Sequence, residues 1–139
     1  MRSIVYDSNS EEATAKLGTG LIGLLPESAL IALCGTLGAG KTFMVKAIAA
    51  AHGVPAESVV SPTFTLCNEY LGRSPIFHFD MYRIADEDEL FELGFDEYLQ
   101  RTGLTIVEWA DRFPAVMPTD KLTVAIEVVD EHTRRIELS

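Results

Sequence analysis

One glycine-rich stretch constrains the fold of this chain more than any other feature. Residues 35–42 read Gly-Thr-Leu-Gly-Ala-Gly-Lys-Thr, which matches the phosphate-binding loop pattern GxxxxGK[ST]. An apolar run at 29–33 precedes the stretch, and an apolar, alanine-rich run at 43–51 follows it. The sequence therefore predicts a strand, a tight turn and a helix, with a nucleoside triphosphate site at the turn. A solvated lysine after an ordinary glycine turn is the alternative, and the order of the flanking runs argues against it.

Each residue type in this stretch has a chemical task. Glycines let the backbone curl until successive N–H groups point at phosphate oxygens, and the helix beginning at Lys41 adds the positive end of its dipole. Lys41 is expected to reach the β- and γ-phosphates, while the hydroxyl of Thr42 takes one position on Mg²⁺. The predicted cofactor-binding residues of the loop are Gly35, Leu37, Gly38, Ala39, Gly40, Lys41 and Thr42.

Two carboxylates end predicted strands further along the chain. Glu108 follows the apolar run 104–107, and Asp80 follows the apolar run 76–79. An acid at a strand end opposite Thr42 can hold Mg²⁺ directly or through water, so Glu108 and Thr42 are the predicted metal ligands. Asp80 stands where α/β sheets hold their ligands, but it could equally cap the segment that follows.

The remaining elements are predicted from periodicity and turn residues. They are a strand at 2–6, a helix from the cap candidates at 8–10 to just before Pro26, a hairpin of strands at 66–71 and 76–80, one or two short acidic helices between 86 and 99, and a terminal hairpin of strands at 121–129 and 133–138. Glycines in the first helix are expected to permit close packing on a sheet. The loop at 61–66 either senses the γ-phosphate or only feeds the next strand. His78, alone on an apolar strand, is interpreted as structural.

Composition limits the class of protein. A chain of 139 residues with 47% hydrophobic residues predicts one globular domain over 1–139. The net charge of −10 disfavours direct, tight binding to nucleic acid, because the surface repels phosphate backbones. The N-terminus lacks an apolar signal core and no apolar segment approaches the ~20 residues that cross a bilayer, so a cytoplasmic protein without membrane contact is expected. Cys34 and Cys67 are interpreted as small buried hydrophobes.

Three kinds of phosphate-loop protein compete at this point. A GTPase needs a guanine-reading [NT]KxD segment, and the sequence contains none. A small-molecule kinase needs an acceptor pocket and usually an arginine-bearing lid, and no lid insertion is evident. An ATPase that couples its nucleotide to the state of a partner is the interpretation that remains, with a nucleotide-gated binding module whose hydrolysis is incidental as its rival. The acidic segment 86–97 is either solvated surface or a docking face for a basic partner.

Five motifs, in order along nearly the whole chain, resemble those of the TsaE (YjeE) family, the bacterial ATPases needed to make threonylcarbamoyladenosine in tRNA. The motifs are Gly38-Ala39-Gly40-Lys41-Thr42, Ser61-Pro62-Thr63-Phe64-Thr65-Leu66 with Asn68-Glu69-Tyr70, His78-Phe79-Asp80-Met81-Tyr82-Arg83, Glu92-Leu93-Gly94-Phe95 with Glu97-Tyr98-Leu99, and Val107-Glu108-Trp109. The resemblance implies an α/β, P-loop NTPase-like three-layer domain with a mixed, largely parallel sheet. It also implies ATP and Mg²⁺ as cofactors and the TsaB–TsaD heterodimer as partner, with tRNA reached only through these partners.

The resemblance also implies roles for individual residues. Lys41 acts on the phosphates, Glu108 is the acidic metal ligand, and Asp80 is the second carboxylate linked to hydrolysis. Ser10 lies in a stretch that is near the nucleotide in this family, and Trp109 and the loop at 61–63 match segments tied to activity or partner contact. Thr36 replaces the family's usual acid, and little effect is expected because that side chain points out of the phosphate site. Turnover by the isolated protein should be slow, since no arginine finger is evident.

Overall fold

The described part of the chain folds around a seven-stranded sheet with helices on both faces. The computed structural model describes residues 3–35, 40–59 and 67–139. The strands are β1 (Ile4–Ser8), β2 (Ala29–Gly35), β3 (Cys67–Leu71), β4 (Pro75–Asp80), β5 (Leu104–Glu108), β6 (Leu122–Val128) and β7 (Arg134–Leu138), and the helices are α1 (Glu11–Ile22), α2 (Lys41–Ala51), α3 (Glu87–Glu92) and α4 (Phe95–Gln100). The predicted three-layer α/β class with a C-terminal hairpin is confirmed.

The strand order across the sheet is β1-β7-β6-β2-β5-β4-β3. Strands β6, β2, β5 and β4 are mutually parallel, and the outer pairs β1–β7, β7–β6 and β4–β3 are antiparallel. Two antiparallel steps return β1 to the direction of the central four, so the sheet is mixed and largely parallel, as expected. We call the side where β2, β4, β5 and β6 end the carboxyl edge, because ligands of such sheets bind there.

Side chains of the central strands alternate strictly between the two helical layers. Ile76 and Ile106 pack into the core beneath α1 and α2, whereas Phe77, Phe79 and Val107 pack into the core beneath α3 and α4. Side chains two residues apart in a strand share a face. The polar side chains that end β4 and β5 therefore lie on the face covered by α1 and α2.

Helix α1 differs from its prediction at its C-terminal end. Ser10 caps its start, accepting a hydrogen bond from the backbone N–H of Ala13 at 3.0 Å, but the helix ends at Ile22 instead of continuing to residue 25. The side chain of Leu24 is 82% exposed and adds nothing to the buried stripe. Leu25 is still partly buried against the core, but it packs there from the segment after the helix, so the apolar spacing does not mark the end of the helix.

One glycine of α1, Gly18, serves packing between helices instead of the predicted packing on the sheet. A Cβ atom added at Gly18 would lie 3.3 Å from both the Cβ of Ala47 and the carbonyl oxygen of Met44. Both neighbours belong to α2, so the absence of a side chain at Gly18 lets the two helices approach closely.

The other elements agree with expectation apart from small shifts. Strand β1 ends two residues later than predicted because its pairing with β7 runs from Ile4 to Ser8, and Arg2, the first residue of the predicted strand, lies outside the described residues. The acidic segment forms two helices, and Cys34 and Cys67 are half-buried instead of buried. The loop predicted at 61–66 lies outside the described residues. Among the helices that the structure describes, none combines the length and apolarity needed to cross a membrane.

Candidate functional site

Two carboxylates stand side by side at the carboxyl edge. Asp80 is the last residue of β4 and Glu108 the last residue of β5, and the parallel register of these strands pairs the two. Glu108 also pairs with Leu33 of β2, the strand that leads into the glycine-rich loop. Both carboxylates are only 6% exposed. The parallel register thus brings together two acids that are far apart in sequence.

The amino group of Lys41 faces these acids from the start of α2. Gly40 precedes the helix in a left-handed conformation with φ 104°. This positive φ favours glycine at the position. The Lys41 Nζ donates to the carbonyl oxygen of Gly35 at 2.5 Å. Burial lowers the pKa of the Lys41 ammonium from its ordinary value, and the charges of Glu108 and Asp80 oppose that shift. The site therefore holds a desolvated cation opposite two buried carboxylates.

Trp109 closes the site beside Glu108. Its backbone is left-handed, with φ 60°, and its backbone N–H donates to the carbonyl oxygen of Leu33 at 3.0 Å. Its ring lies 4.1 Å below the Nζ of Lys41, within cation–π range, and 4.9 Å from the ring of Tyr82. A non-glycine residue in this conformation stores about 1 kcal/mol or more of strain, and such positions concentrate at functional sites. The strained turn aims the indole at the lysine.

The carboxylate of Glu108 contacts a histidine that the sequence interpretation left out of the chemistry. The Nε2 of His78 lies 2.6 Å from Oε2 of Glu108, and its Nδ1 lies 3.2 Å from the hydroxyl of Tyr70. His78 is 2% exposed. Strand alternation offered a signal for this contact, because His78 shares a face with Asp80 and hence with the acid at the end of the adjacent strand.

The loop after β4 is held in place by Arg112, which also escaped the sequence interpretation. The Nη1 of Arg112 donates to the carbonyl oxygens of Met81 and Ile84, both at 2.9 Å, and to that of Tyr82. The N–H of Tyr82 in turn donates to Oδ1 of Asp80 at 2.9 Å. Arg112 therefore fixes the backbone that orients the Asp80 carboxylate.

The other predicted site residues are partly within the described structure. Ser10 comes two residues after the end of β1. Through β7, Ser8 of β1 is in register with Val128 of β6, and Gly35, the last residue of β2, pairs with Ile126 of the same strand. Ser10 thus lies at the carboxyl edge, where it caps α1. Thr42 is exposed in the first turn of α2. Leu37, Gly38 and Ala39 lie outside the described residues, so their predicted contact with phosphate stays a prediction.

The donor set at this edge fits a magnesium–nucleotide complex. Mg²⁺ usually takes one or two carboxylates and completes its shell with water and substrate phosphates. Within residues 3–35, 40–59 and 67–139, no three His, Cys, Asp or Glu side chains converge as a protein-only metal cage. Two clefts lie at the opposite edge, where the strands begin. The cleft of about 280 Å³ is lined by Leu104, the first residue of β5, and the cleft of about 470 Å³ by Ala29 and Leu122, the first residues of β2 and β6. The charged cluster of Lys41, Asp80 and Glu108 lies at the carboxyl edge, away from these clefts.

Comparison with known proteins gives consistent relatives. The family model described as "Threonylcarbamoyl adenosine biosynthesis protein TsaE" matches residues 8–136. The chain is similar to two proteins named tRNA threonylcarbamoyladenosine biosynthesis protein TsaE. The one from Treponema pallidum is 36% identical over 95% of this chain and 97% of that protein. The one from Aquifex aeolicus is 42% identical over 93% of this chain and 90% of that protein. The crystal structure of Bacillus subtilis YdiB superposes with a TM-score of 0.81 at 27% identity, covering 99% of this chain and 84% of the other.

Proposed function

The chain belongs to the TsaE family of tRNA threonylcarbamoyladenosine biosynthesis proteins, and from that premise we propose that it is an ATPase that binds ATP with Mg²⁺. The single observation that carries this proposal is the position of Lys41. Its amino group, at the start of the helix after a GxxxxGK[ST] sequence, faces the paired carboxylates Asp80 and Glu108 across the carboxyl edge. A cation for phosphates and acids for a metal are thus supplied together.

Each residue of the site has a proposed task. Lys41 and the amides of the loop from Gly35 bind the phosphates, and the hydroxyl of Thr42 with the carboxylate of Glu108 holds Mg²⁺. When bound, Mg²⁺ neutralises phosphate charge that would otherwise oppose attack by water. Asp80, next to Glu108 in the sheet, orients the groups that hydrolysis requires. Ser10, at the same edge, lies toward the nucleotide.

Hydrolysis by the isolated protein is proposed to be slow. Rapid phosphoryl transfer usually needs an arginine whose guanidinium reaches the transferring group. Arg112, the arginine nearest in sequence to Glu108, already donates to three backbone carbonyls of the loop after β4. A partner that contributes a cation would therefore accelerate turnover.

The proposed partners are the TsaB–TsaD pair, with tRNA reached only through them and the reaction taking place in the cytoplasm. The net charge of −10 supports an indirect route to RNA. The outer surface of α3 and its C-terminal flank supports a protein contact, since it combines acids with the exposed apolar side chains Phe91, 49% exposed, and Leu93, 37% exposed. In this proposal, ATP binding favours docking on the partners and hydrolysis resets the protein.

Three substitutions test the assignment. Lys41→Ala is expected to abolish ATP binding in calorimetry, whereas Asp80→Ala and Glu108→Ala are expected to retain binding and lose phosphate release. Lys121→Ala is the matched control, because it removes a lysine at the opposite edge of the sheet. Binding and hydrolysis that survive in all three site variants would refute the assignment.

The same assay separates this proposal from its rivals. Phosphate release that rises when TsaB–TsaD is added supports a coupled ATPase. Complex formation that needs ATP but continues unchanged in the Glu108→Ala variant, without any effect on the modification of tRNA, identifies a nucleotide-gated binding module. Transfer of phosphate to a small molecule in a metabolite screen identifies a kinase.

A further inference from the structure

A line of polar side chains runs through the sheet to Glu108. The Nδ2 of Asn68 lies 3.5 Å from the hydroxyl of Tyr70, this hydroxyl 3.2 Å from Nδ1 of His78, and Nε2 of His78 2.6 Å from Oε2 of Glu108. Tyr70, His78 and Glu108 are 8%, 2% and 6% exposed. Three neighbouring strands thus contribute to one buried chain of contacts that ends on the proposed metal ligand.

The chemistry of the groups gives this line a direction. An ionised carboxylate can only accept, so Nε2 of His78 must carry the proton that it donates to Glu108. When the imidazole is neutral, its Nδ1 has a lone pair that accepts from the hydroxyl of Tyr70, and the Asn68 amide donates to the tyrosine oxygen. In that form all three contacts donate toward Glu108, and such aligned hydrogen bonds strengthen one another.

We propose that His78 is a positioning residue that fixes the orientation of the Glu108 carboxylate for Mg²⁺, with Tyr70 fixing the tautomer of His78. The inference rests on the proposed function, in which Glu108 holds the metal. Metal-binding sites commonly have such outer partners, and removing one typically costs about 10- to 100-fold in metal affinity or activity.

A purely structural role explains His78 less well. Apart from Tyr70 and the two carboxylates at the strand ends, buried positions around it on the same face are aliphatic, among them Ile76, Leu104 and Ile106. A polar side chain in such a place costs free energy unless it is hydrogen-bonded, and an aliphatic residue would fill the space without that cost. The polarity of His78 is therefore accounted for by what it contacts, the Glu108 carboxylate.

Two isopolar variants give the sharpest test. In His78→Gln the side-chain amide reaches about as far as Nε2 and can still donate to Glu108, whereas in His78→Asn it reaches only about as far as Nδ1. Both variants lose the imidazole ring, and they differ from each other by one methylene group as well as in the reach of the amide. Calorimetric titration of Mg²⁺ at saturating ATP should show roughly a 10-fold or larger loss of Mg²⁺ affinity in His78→Asn and a much smaller loss in His78→Gln. Equal losses in both variants, or no loss in His78→Asn, would overturn the proposal.

A second measurement needs neither a variant of His78 nor a bound nucleotide. Long-range proton–nitrogen NMR of the wild-type protein should show the His78 ring protonated at Nε2 and bare at Nδ1. The same tautomer should persist in Lys41→Ala, which is expected not to bind ATP. A further variant, Tyr70→Phe, removes only the hydroxyl that contacts His78. It should weaken Mg²⁺ binding less than His78→Asn does. An Nδ1-protonated ring in the wild type would contradict the directed line.

These outcomes separate the inference from the proposed function. If the wild-type protein binds no Mg²⁺–ATP, the proposed function fails, and the positioning of a metal ligand fails with it even where NMR shows the expected tautomer. If the wild type binds Mg²⁺–ATP and the two His78 variants behave alike, only the positioning role fails.

Discussion

Substitution of Phe79 tests whether the two faces of β4 have separate tasks. Phe79 is fully buried on the face covered by α3 and α4, while His78 and Asp80 on either side of it face α1 and α2. Its ring meets the rings of Phe95 and Tyr98 edge to face, with centroids 5.1 and 5.2 Å apart and interplanar angles of 87° and 84°. Phe79→Leu keeps an apolar side chain and removes both ring contacts.

The expected cost follows from these two contacts. An edge-to-face aromatic pair contributes about 0.5–1.5 kcal/mol beyond its buried area, so the loss of both lowers the free energy of unfolding by about 2 kcal/mol. With an unfolding entropy of about 2.1 cal/mol/K per residue, the midpoint of thermal unfolding falls by about 7 °C. ATP affinity should stay unchanged, because the substituted side chain lies on the face of the sheet opposite to Asp80 and Glu108.

Urea titration, calorimetric melting and ATP titration of the same preparation measure all three quantities. His78→Asn provides the comparison on the opposite face of the same strand, where Mg²⁺ affinity is expected to fall. A Phe79→Leu protein that melts within about 1 °C of the wild type would show that the ring contacts stabilise little. A loss of ATP affinity comparable to the loss of stability would refute the separation of the two faces.

Substitutions at two glycines, at Ser10 and at Cys67 test further parts of the structure. Gly72→Ala should lower the free energy of unfolding by about 1–3 kcal/mol, because the new Cβ would lie 2.2 Å from the carbonyl oxygen of His52. Gly20→Ala should raise the free energy of unfolding by up to about 1 kcal/mol, because a Cβ at Gly20 has open space around it. Urea titration of both variants measures the contrast. Ser10→Ala should lower it by about 1 kcal/mol through loss of the helix cap, and a wild-type urea midpoint would contradict that role. Burial raises the pKa of the Cys67 thiol from 9.0 to about 11, so alkylation at pH 8.5, followed by mass spectrometry, should be about 100-fold slower than for an unshifted thiol. Because the raised pKa belongs to the folded state, this thiol's contribution to stability is present below pH 9 and is lost as the pH rises through about 11, and Cys67→Ala should make that decline shallower.

The local part of the site was predictable from sequence. The strand at Ala29–Gly35, the helix starting at Lys41 and the carboxylates ending β4 and β5 are each defined within a few residues by apolar runs and turn residues. These elements form because short-range patterns decide where a strand or helix can bury its apolar side. The interpretation of Asp80 as a residue at the ligand edge needed only the rule that parallel strands end together.

The contacts between distant segments were not predictable in the same way. His78 meets Glu108 across 30 positions of sequence, and this contact depends on the register between β4 and β5. No local pattern encodes that register, since it is set by packing of the whole sheet. The placement of Lys41 over Trp109 depends likewise on the left-handed turn after β5. The sequence does not predict this turn, because the residue with positive φ is Trp109 and not a glycine. The predicted C-terminal end of α1 was wrong because Leu24 and Leu25 continue the apolar spacing although the helix ends at Ile22.

The central claim is that a triphosphate and its metal lie at the carboxyl edge between the start of α2 and the carboxylate of Glu108. A crystal structure with a non-hydrolysable ATP analogue and Mn²⁺ in place of Mg²⁺ tests it most directly, because the anomalous signal of manganese locates the ion without reference to the protein. The account predicts one peak between Thr42 and Glu108, with the phosphates on the loop that begins at Gly35 and the amino group of Lys41 moved from the Gly35 carbonyl to a phosphate oxygen. A peak elsewhere, such as on the acidic surface of α3, with Lys41 still bound to Gly35, would contradict it.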